Sequence, residues 1–166
     1  MFICITPNRL DDCPRFNFCE KGNEPLGNRL YRYEFINNKL LSPELLLNLP
    51  ATPGPIHNGG TVTVGPDGNI YLVIGNVGGG TQAQNIRGGE PPDGRSGIIQ
   101  VTQDGERVDT GGVLGDVHPL DFYYAYGIRN SFGIDFDPAT GKLWDTEVGN
   151  RDKDEVNLVE AGFNSW

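Results

Sequence analysis

The sequence has little of what membrane spans, nucleic-acid binders and secreted precursors require. Only 13 residues are Lys or Arg against 22 Asp or Glu, and the net charge of −9 excludes a free-standing nucleic-acid binder, which should be basic. No apolar run approaches the ~20 residues that cross a bilayer; residues 71–74 are typical of the short runs present. Residues 1–20 lack a basic start followed by an apolar stretch, so we expect no signal peptide.

Glycine and proline, by contrast, are abundant. The chain contains 24 Gly and 12 Pro among 166 residues, which is more than a helical bundle or coiled coil tolerates. Hydrophobic residues make up 37% of the chain and aromatic residues 10%, enough to build a core and to argue against full disorder. The length suits one domain of ordinary size.

All three cysteines, Cys4, Cys13 and Cys19, lie near the start of the chain. The spacing of Cys13 and Cys19 permits a small disulfide loop, which would suit an oxidising compartment, and plain thiols fit the same spacing equally well. Neither a second Cys pair nor a His cluster accompanies them, so a zinc site is not expected. We interpret residues 1–26 as an N-terminal arm that carries this cysteine cluster.

Strand and turn signals dominate the rest of the chain. Alternating residues at 29–35, a turn at Asn37-Asn38 and the short run 39–41 predict a hairpin. Residues 42–49 allow at most one helical turn, because Pro43 suits a first turn and Pro50 ends it. Further strands are predicted at 61–64, 69–74, 98–101, 106–108, 133–136 and 142–144, separated by Pro-, Asp- and Gly-containing turns.

Similar hairpins recur along the chain with a unit of roughly 70 residues, which is typical of propellers and related arrays. The stretch from Gly65 to Asn76 resembles the stretch from Asp137 to Asn150 in this way. We therefore predict an all-β fold in which residues 27–166 form a partial β-propeller of about two and a half blades. Exposed blade edges and half-covered apolar faces predict a homo-oligomer.

Three groups of residues could carry chemistry. His57 precedes Gly59-Gly60, where the backbone can turn and a ligand can approach, and His acts as a general base near neutral pH. Arg129 offers a rigid, charged fork of donors beside the amide of Asn130, which suits a carboxylate or a developing oxyanion. The structural alternatives are that His57 only forms hydrogen bonds within its loop and that Arg129 is a surface residue paired with an acidic side chain.

The third group begins at Glu147 and contains Gly149, Asn150, Asp154 and Glu155. It places backbone carbonyls near carboxylates, and this oxygen-rich set is the kind that Ca²⁺ prefers. A solvated acidic turn would have the same composition. The glycine-rich residues 75–80 lack the Gly-Lys-Ser/Thr ending of a phosphate-binding loop and predict a loop between strands.

In their order and spacing, these motifs resemble the glucose/sorbosone dehydrogenase family. These soluble aldose sugar dehydrogenases use pyrroloquinoline quinone (PQQ) on a six-bladed β-propeller. The matching motifs are His57-Asn-Gly-Gly, Val64-Gly-Pro-Asp-Gly-Asn-Ile-Tyr, Ile74-Gly, Gly94-Arg-Ser-Gly-Ile-Ile, Tyr126-Gly-Ile-Arg-Asn, Asp154-Glu-Val-Asn-Leu and Gly162-Phe-Asn-Ser-Trp. The resemblance implies oxidation of an aldose at C1 to the lactone by hydride transfer to the quinone, outside the cytoplasm, with an electron acceptor that the sequence does not specify.

The resemblance also implies roles for individual residues. His57 matches the base that takes the proton of the sugar C1 hydroxyl. Arg129 and Asn130 match residues at the cofactor, where the Arg129 cation can stabilise the oxygen that gains charge on reduction, so Arg129 counts with His57 as catalytic.

By the same resemblance, a Ca²⁺ ion anchors and polarises PQQ. Gly149 and Asn150 would contribute backbone carbonyls to this ion and Asp154 a carboxylate, with Glu155 as a weaker candidate ligand.

Two residues depart from the family pattern. Asn76 stands where an Asp near the base is often found, and Val148 stands where a polar residue is common. A neutral amide can orient a His but cannot stabilise its cation as a carboxylate would. These departures favour the alternative, a non-catalytic calcium-binding propeller fragment that acts as an interaction module, whereas His57, Arg129 and Asn130 favour the enzyme. The family's later blades add Lys and Arg contacts to PQQ that have no counterpart here, so we expect this fragment alone to bind PQQ poorly and to have little activity.

Overall fold

The protein is built from short antiparallel strands, as seen in a computed structural model that describes residues 1–5, 27–49, 57–77, 91–109, 112–149 and 153–165. In chain order the strands are β1 (Phe2–Ile5), β2 (Asn28–Ile36), β3 (Lys39–Leu49), β4 (Val62–Val64), β5 (Ile70–Ile74), β6 (Gly97–Val101), β7 (Tyr123–Tyr126), β8 (Ser131–Phe136), β9 (Leu143–Glu147) and β10 (Glu155–Val159). A 3₁₀ turn at Leu120–Phe122 precedes β7. Within these ranges no helix is long and apolar enough to cross a bilayer.

The strands form three antiparallel sheets, in the orders β1-β2-β3, β4-β5-β6-β7 and β10-β9-β8. Each sheet is one complete or partial blade, and the predicted all-β partial propeller is confirmed. The predicted hairpin turn is also confirmed: Asn37 and Asn38 both adopt positive φ, as a tight two-residue connection requires. The boundary at residue 26 and the Cys13–Cys19 pair fall outside the described residues.

Two sequence expectations differ from the structure. Residues 42–49 belong to strand β3 and not to a helical turn, because β2 pairs with them out to Leu49 opposite Asn28. β3 lies at the edge of its sheet, and Pro43 sits where the register shifts, which is where a strand tolerates a missing backbone N–H. The expected strand at 106–108 is reduced to a single bridge between Arg107 and Val101.

The middle sheet supplies both hydrophobic cores. Every residue of β5 is buried, and successive side chains point to opposite faces. Ile70, Leu72 and Ile74 pack with Leu30, Leu47 and Leu49 of the first sheet. On the other face, Tyr71 and Val73 pack with Ile134, Leu143 and Val159 of the third sheet. The sheets therefore stack face to face, and this stacking fixes how the loops at their ends meet.

The third sheet buries a carboxylic acid within this stack. Asp145 in β9 is 0% exposed, and Ser131 Oγ donates a hydrogen bond to its Oδ1. Among the described residues, Asp145 Oδ2 and the Nδ2 of Asn157, which lies opposite in β10, have no hydrogen-bond partner. Burial raises the pKa of Asp145, and the neighbouring Ser131 hydroxyl, Asn157 amide and Thr146 backbone N–H offset only part of that rise.

We expect Asp145→Asn to stabilise the fold at pH 8 by about 1 kcal/mol, or ~3 °C in Tm for a chain of this size. The folded chain holds the Asp145 proton more tightly than the unfolded chain, so this contribution to stability is greatest below the ordinary Asp pKa. It is lost as pH rises through the raised pKa. An amide at 145 carries no charge, and Asn157 can turn its own amide to accept the new N–H.

Thermal melts at pH 4 and pH 8 test this expectation. The gain of Asp145→Asn over the parent should be larger at pH 8, while the exposed Asp109→Asn should show no such pH-dependent gain. Asp145→Ala should instead destabilise at both pH values, because it leaves the Ser131 hydroxyl without its acceptor. An Asp145→Asn variant no more stable than the parent at pH 8 would contradict the expectation.

Candidate active site

Loops at one end of the second and third sheets meet around the backbone of Gly75. Asn76 N donates a hydrogen bond to Arg129 O at 2.9 Å, and Val77 N donates to His57 O at 3.2 Å. A Cβ atom at Gly75 would lie 2.4 Å from His57 O and 2.6 Å from Arg129 O. The segments that carry the predicted base and the predicted cation therefore both press against this one glycine.

His57 is oriented by a buried amide. Its Nδ1 lies 2.7 Å from Oδ1 of Asn76, which is only 4% exposed. With an amide oxygen as its partner, Nδ1 must carry the ring proton and Nε2 is left as an acceptor. His57 itself has φ of 60°, in the left-handed region that non-glycine residues rarely adopt. The ring is thus held in a defined tautomer at the end of β5, as a general base needs.

The approach of the His57 loop to β5 depends on the glycines that follow it. Gly60 N donates to Val73 O at 2.8 Å, which ties the loop to the strand. Gly59 has φ of 73°, and a Cβ there would lie 2.6 Å from the same Val73 oxygen. The His-Asn-Gly-Gly motif is therefore a close backbone approach, which explains why glycines follow the histidine.

Arg129 folds over the end of β9. Its Nη1 donates to the backbone carbonyls of Val148 at 2.8 Å and Gly149 at 3.0 Å. The backbone beside it is anchored, because Val148 N donates to Asn130 O at 2.9 Å. Arg129 and Asn130 are both half-buried. The structure thus brings Arg129, Asn130 and Gly149 together.

Gly149 lies against the backbone of Lys153. A Cβ at Gly149 would lie 1.8 Å from Lys153 O, so the two backbones are in direct contact and only glycine fits. Asp154 follows immediately and is exposed, and Glu155 begins β10 opposite Glu147 and is exposed too. Asn150 lies outside the described residues. Among the described residues, no three His, Cys, Asp or Glu side chains are grouped to hold a metal ion.

Sequence reasoning missed the buried carboxylate beneath Arg129. Glu147 is 6% exposed, and its two oxygens accept hydrogen bonds from Arg129 N and Ser165 Oγ. Burial raises the pKa of Glu147, and the hydrogen bonds from Ser165 and Arg129 oppose that rise. The alternation of Leu143, Asp145 and Glu147 along one buried face was the signal that could have found it.

Comparison with known proteins identifies relatives of this chain. Residues 16–165 match the sequence profile of the family described as Glucose / Sorbosone dehydrogenase. The chain is 29% identical to quinoprotein glucose dehydrogenase B of Acinetobacter calcoaceticus, over 82% of this chain and 30% of that protein.

Two solved structures share the fold. An oxidoreductase (glucose dehydrogenase) from Thermus thermophilus has 30% identity and a TM-score of 0.71, covering 83% of this chain and 41% of that one. The PQQ-bound aldose sugar dehydrogenase from Streptomyces coelicolor has 28% identity and a TM-score of 0.67, and the match covers 83% of this chain and 39% of that one. The chain thus spans less than half the length of each of these relatives. Because the family profile covers almost the whole chain, this protein belongs to the glucose/sorbosone dehydrogenase family.

Proposed function

We propose that this chain is part of a PQQ-dependent aldose dehydrogenase that oxidises a sugar at C1 to the lactone. The observation that carries the proposal is the convergence of the His57 and Arg129 backbones on Gly75. That arrangement sets a base and a permanent cation at one end of the propeller sheets. The PQQ in the Streptomyces relative and the quinoprotein from Acinetobacter support the choice of cofactor.

In this proposal His57 takes the proton of the C1 hydroxyl on Nε2, while Asn76 Oδ1 holds the opposite side of the ring. When bound, PQQ supplies the quinone carbonyl that accepts the C1 hydride. The hydroxyl proton goes to His57 and the hydride leaves with its electron pair, so C1 gains the double bond to oxygen and the sugar is oxidised by two electrons. Arg129 and Asn130 stand beside the base, where a cation stabilises an oxygen that gains negative charge.

The residues after β9 fit a calcium ion, which we propose as the second cofactor. Two carbonyl oxygens, of Val148 and Gly149, converge on one cationic group, the guanidinium of Arg129. Hard oxygen ligands of this kind are those that Ca²⁺ takes. The tight contact of Gly149 with Lys153 brings Asp154 next to the same turn. We therefore propose Gly149, Asn150 and Asp154 as ligands, with Glu155 as a further candidate.

The proposal is tested by loading the purified chain with PQQ and Ca²⁺ and adding aldoses with an artificial electron acceptor. We expect acceptor reduction that depends on the sugar, on PQQ and on Ca²⁺, and that a calcium chelator abolishes. Mixtures that omit one component at a time are the controls. A folded chain that binds neither PQQ nor Ca²⁺ would overturn the proposal.

The alternative function is a calcium-binding module that engages a partner without redox chemistry. The neutral Asn76 behind His57 favours it, because an amide does not stabilise an imidazolium as a carboxylate does. In the same experiment, this alternative predicts Ca²⁺ binding with no sugar-dependent reduction in the presence of PQQ.

We propose further that the chain associates with copies of itself. The outer face of the third sheet exposes Trp144 by 41% and Val156 by 68%, and β10 is an edge strand. In a closed propeller such a face packs on the next blade, so an unpaired one favours association. Light scattering should therefore show a mass above that of the monomer at micromolar concentration.

A charged residue on that face should reduce the association. We expect Val156→Lys to shift the chain towards the monomer, because burying an unpaired ammonium is costly. Val117→Lys is the matched control, since Val117 is 71% exposed but lies in the loop before the 3₁₀ turn. A parent chain that is monomeric at micromolar concentration would contradict the proposal.

The family resemblance leads us to propose an extracytoplasmic location, and a Cys13–Cys19 disulfide would agree with it. Both cysteines lie outside the described residues, so the pairing is tested chemically. Alkylation of the unfolded chain before and after reduction should reveal two additional thiols. Three reactive thiols without reductant would argue against the pairing.

A further inference from the structure

A cationic group already lies on the Gly149 carbonyl, which the proposed function assigns to calcium, and on the neighbouring carbonyl of Val148. Arg129 Nη1 is 2.8 Å from Val148 O and 3.0 Å from Gly149 O, which are hydrogen bonds of ordinary length. The guanidinium stays charged at every pH the protein meets, so a change of pH does not release it. Loading this site with a metal ion is therefore an exchange of cations.

Hydrogen bonds hold the backbone of Arg129 in place, whereas its side chain is held through Nη1. Glu147 accepts a hydrogen bond from Arg129 N, and Val148 N donates to Asn130 O. Asn76 N adds a third bond, to Arg129 O. The guanidinium Nε, in contrast, is buried and has no hydrogen-bond partner among the described residues. Rotation of the side chain alone would clear the carbonyls without breaking the backbone bonds.

Ca²⁺ and this guanidinium cannot share the two oxygens. A calcium ion lies about 2.3–2.6 Å from its oxygen ligands, which places it within a few ångströms of the position that Nη1 occupies now. Charges of the same sign at such a separation repel strongly in a half-buried site. Both carbonyl oxygens would be available to the ion once the Arg129 side chain has moved away.

We propose that Arg129 is an internal competitor that holds the 148–149 carbonyl pair until Ca²⁺ displaces it. The inference rests on the proposed function for the identity of the ion. Displacement frees the guanidinium for an anionic group, so Ca²⁺ binding should strengthen the binding of an anionic ligand at the same site. By linkage the reverse also holds, and the two ligands bind with positive coupling.

Calorimetric titration of the full chain with CaCl₂, in the absence of PQQ, tests the competition. Arg129→Gln removes the charge and keeps a polar side chain, and it should bind Ca²⁺ about tenfold tighter than the parent, as expected for losing a charged hydrogen bond. Arg107→Gln is the control for net charge, because Arg107 bridges to Val101 at the far end of β6 and should change the affinity less than about twofold.

A second variant covers the case in which Arg129→Gln folds poorly, which circular dichroism would reveal. Arg129→Lys keeps the charge but lacks the planar guanidinium and has a shorter side chain. Its Ca²⁺ affinity should therefore fall between those of the parent and the Gln variant.

The outcomes separate this inference from the proposed function. If the parent and both Arg129 variants bind Ca²⁺ equally well, the competition is wrong while the calcium site stands. If the variants bind Ca²⁺ more weakly than the parent, Arg129 supports the site and the inference is overturned. If no form binds Ca²⁺, the calcium part of the proposed function fails, and the inference fails with it.

Discussion

Alanine at position 75 should destabilise the fold by about 2–3 kcal/mol, the cost of forcing an extra carbon into a packed site. The new Cβ would lie 2.4 Å from His57 O and 2.6 Å from Arg129 O, both far inside van der Waals contact. Those oxygens belong to backbone that cannot shift cheaply, because each accepts a hydrogen bond from the residues that follow Gly75. The φ of Gly75 is not positive, so the effect is one of space and not of backbone conformation.

Thermal unfolding of Gly75→Ala against the parent measures this effect, with an expected loss of roughly 6–10 °C in Tm. Gly133→Ala is the matched control. Its Cβ would meet only Thr146 Oγ1, at 3.3 Å, and this exposed side chain can give by the few tenths of an ångström required while keeping its hydrogen bond to Gly133 O. A Gly75→Ala variant that melts within about 2 °C of the parent would show that the two loops do not depend on this contact.

The same substitution should disturb the site more than the fold. Gly75 joins the His57 loop to the Arg129 turn, so a displacement at this point separates the base from the cation. We expect the Ca²⁺ affinity and any sugar-dependent reduction to fall together in Gly75→Ala and to persist in Gly133→Ala.

Much of the fold could be predicted because its signals are local. Asn37-Asn38 forms a tight turn on its own side-chain chemistry, and the alternation of residues on either side sets the strands. Residues 42–49 of strand β3 could not be predicted in this way, since Pro43 after Ser42 resembles the start of a helix. Pairing with β2 overrides that local preference, and the pairing depends on residues elsewhere in the chain.

In the candidate site, too, the residues with local sequence signals could be predicted and those that depend on distant contacts could not. His57 and Arg129 were identified because each lies in a short motif that resembles a known family. Gly75 was assigned to a glycine-rich loop, since nothing nearby in sequence shows that two distant backbones approach it. Glu147 was counted with an acidic loop, although its place on the buried face of β9 follows from the alternation with Leu143. Roles that arise from contacts between distant segments are those that a single sequence conceals.

Loss of the His57 imidazole should have the largest effect on chemistry. We expect His57→Ala to lower sugar-dependent acceptor reduction by about 10²–10⁴-fold, the usual contribution of a general base. Binding of Ca²⁺ should be unchanged, because the His57 ring is hydrogen-bonded to Asn76, whereas the 148–149 carbonyls are hydrogen-bonded to Arg129. His118→Ala is the matched control, since His118 lies in the exposed loop before the 3₁₀ turn. Equal activity in the parent and His57→Ala would remove His57 from the mechanism.

Variants of Asn76 then show whether the amide positions the base. Asn76→Leu removes the acceptor 2.7 Å from Nδ1, so the proton should distribute between both ring nitrogens and the ring should lose its fixed orientation. We expect activity to fall by up to about a hundredfold, the scale of a misplaced catalytic group. Asn76→Asp keeps an acceptor at the same place and should retain the Nδ1-protonated tautomer together with most of the activity.

The tautomer can be read without any cofactor. The chain has two histidines, so ¹⁵N spectra of the imidazoles contain two sets of signals, and His57→Ala identifies the set that belongs to His57. The parent and Asn76→Asp should show a protonated Nδ1 at a pH where the ring is neutral, and Asn76→Leu should show averaged nitrogens. If Asn76→Leu kept the tautomer of the parent, the orientation of His57 would have to come from its left-handed backbone alone, and the proposed role of Asn76 would be wrong.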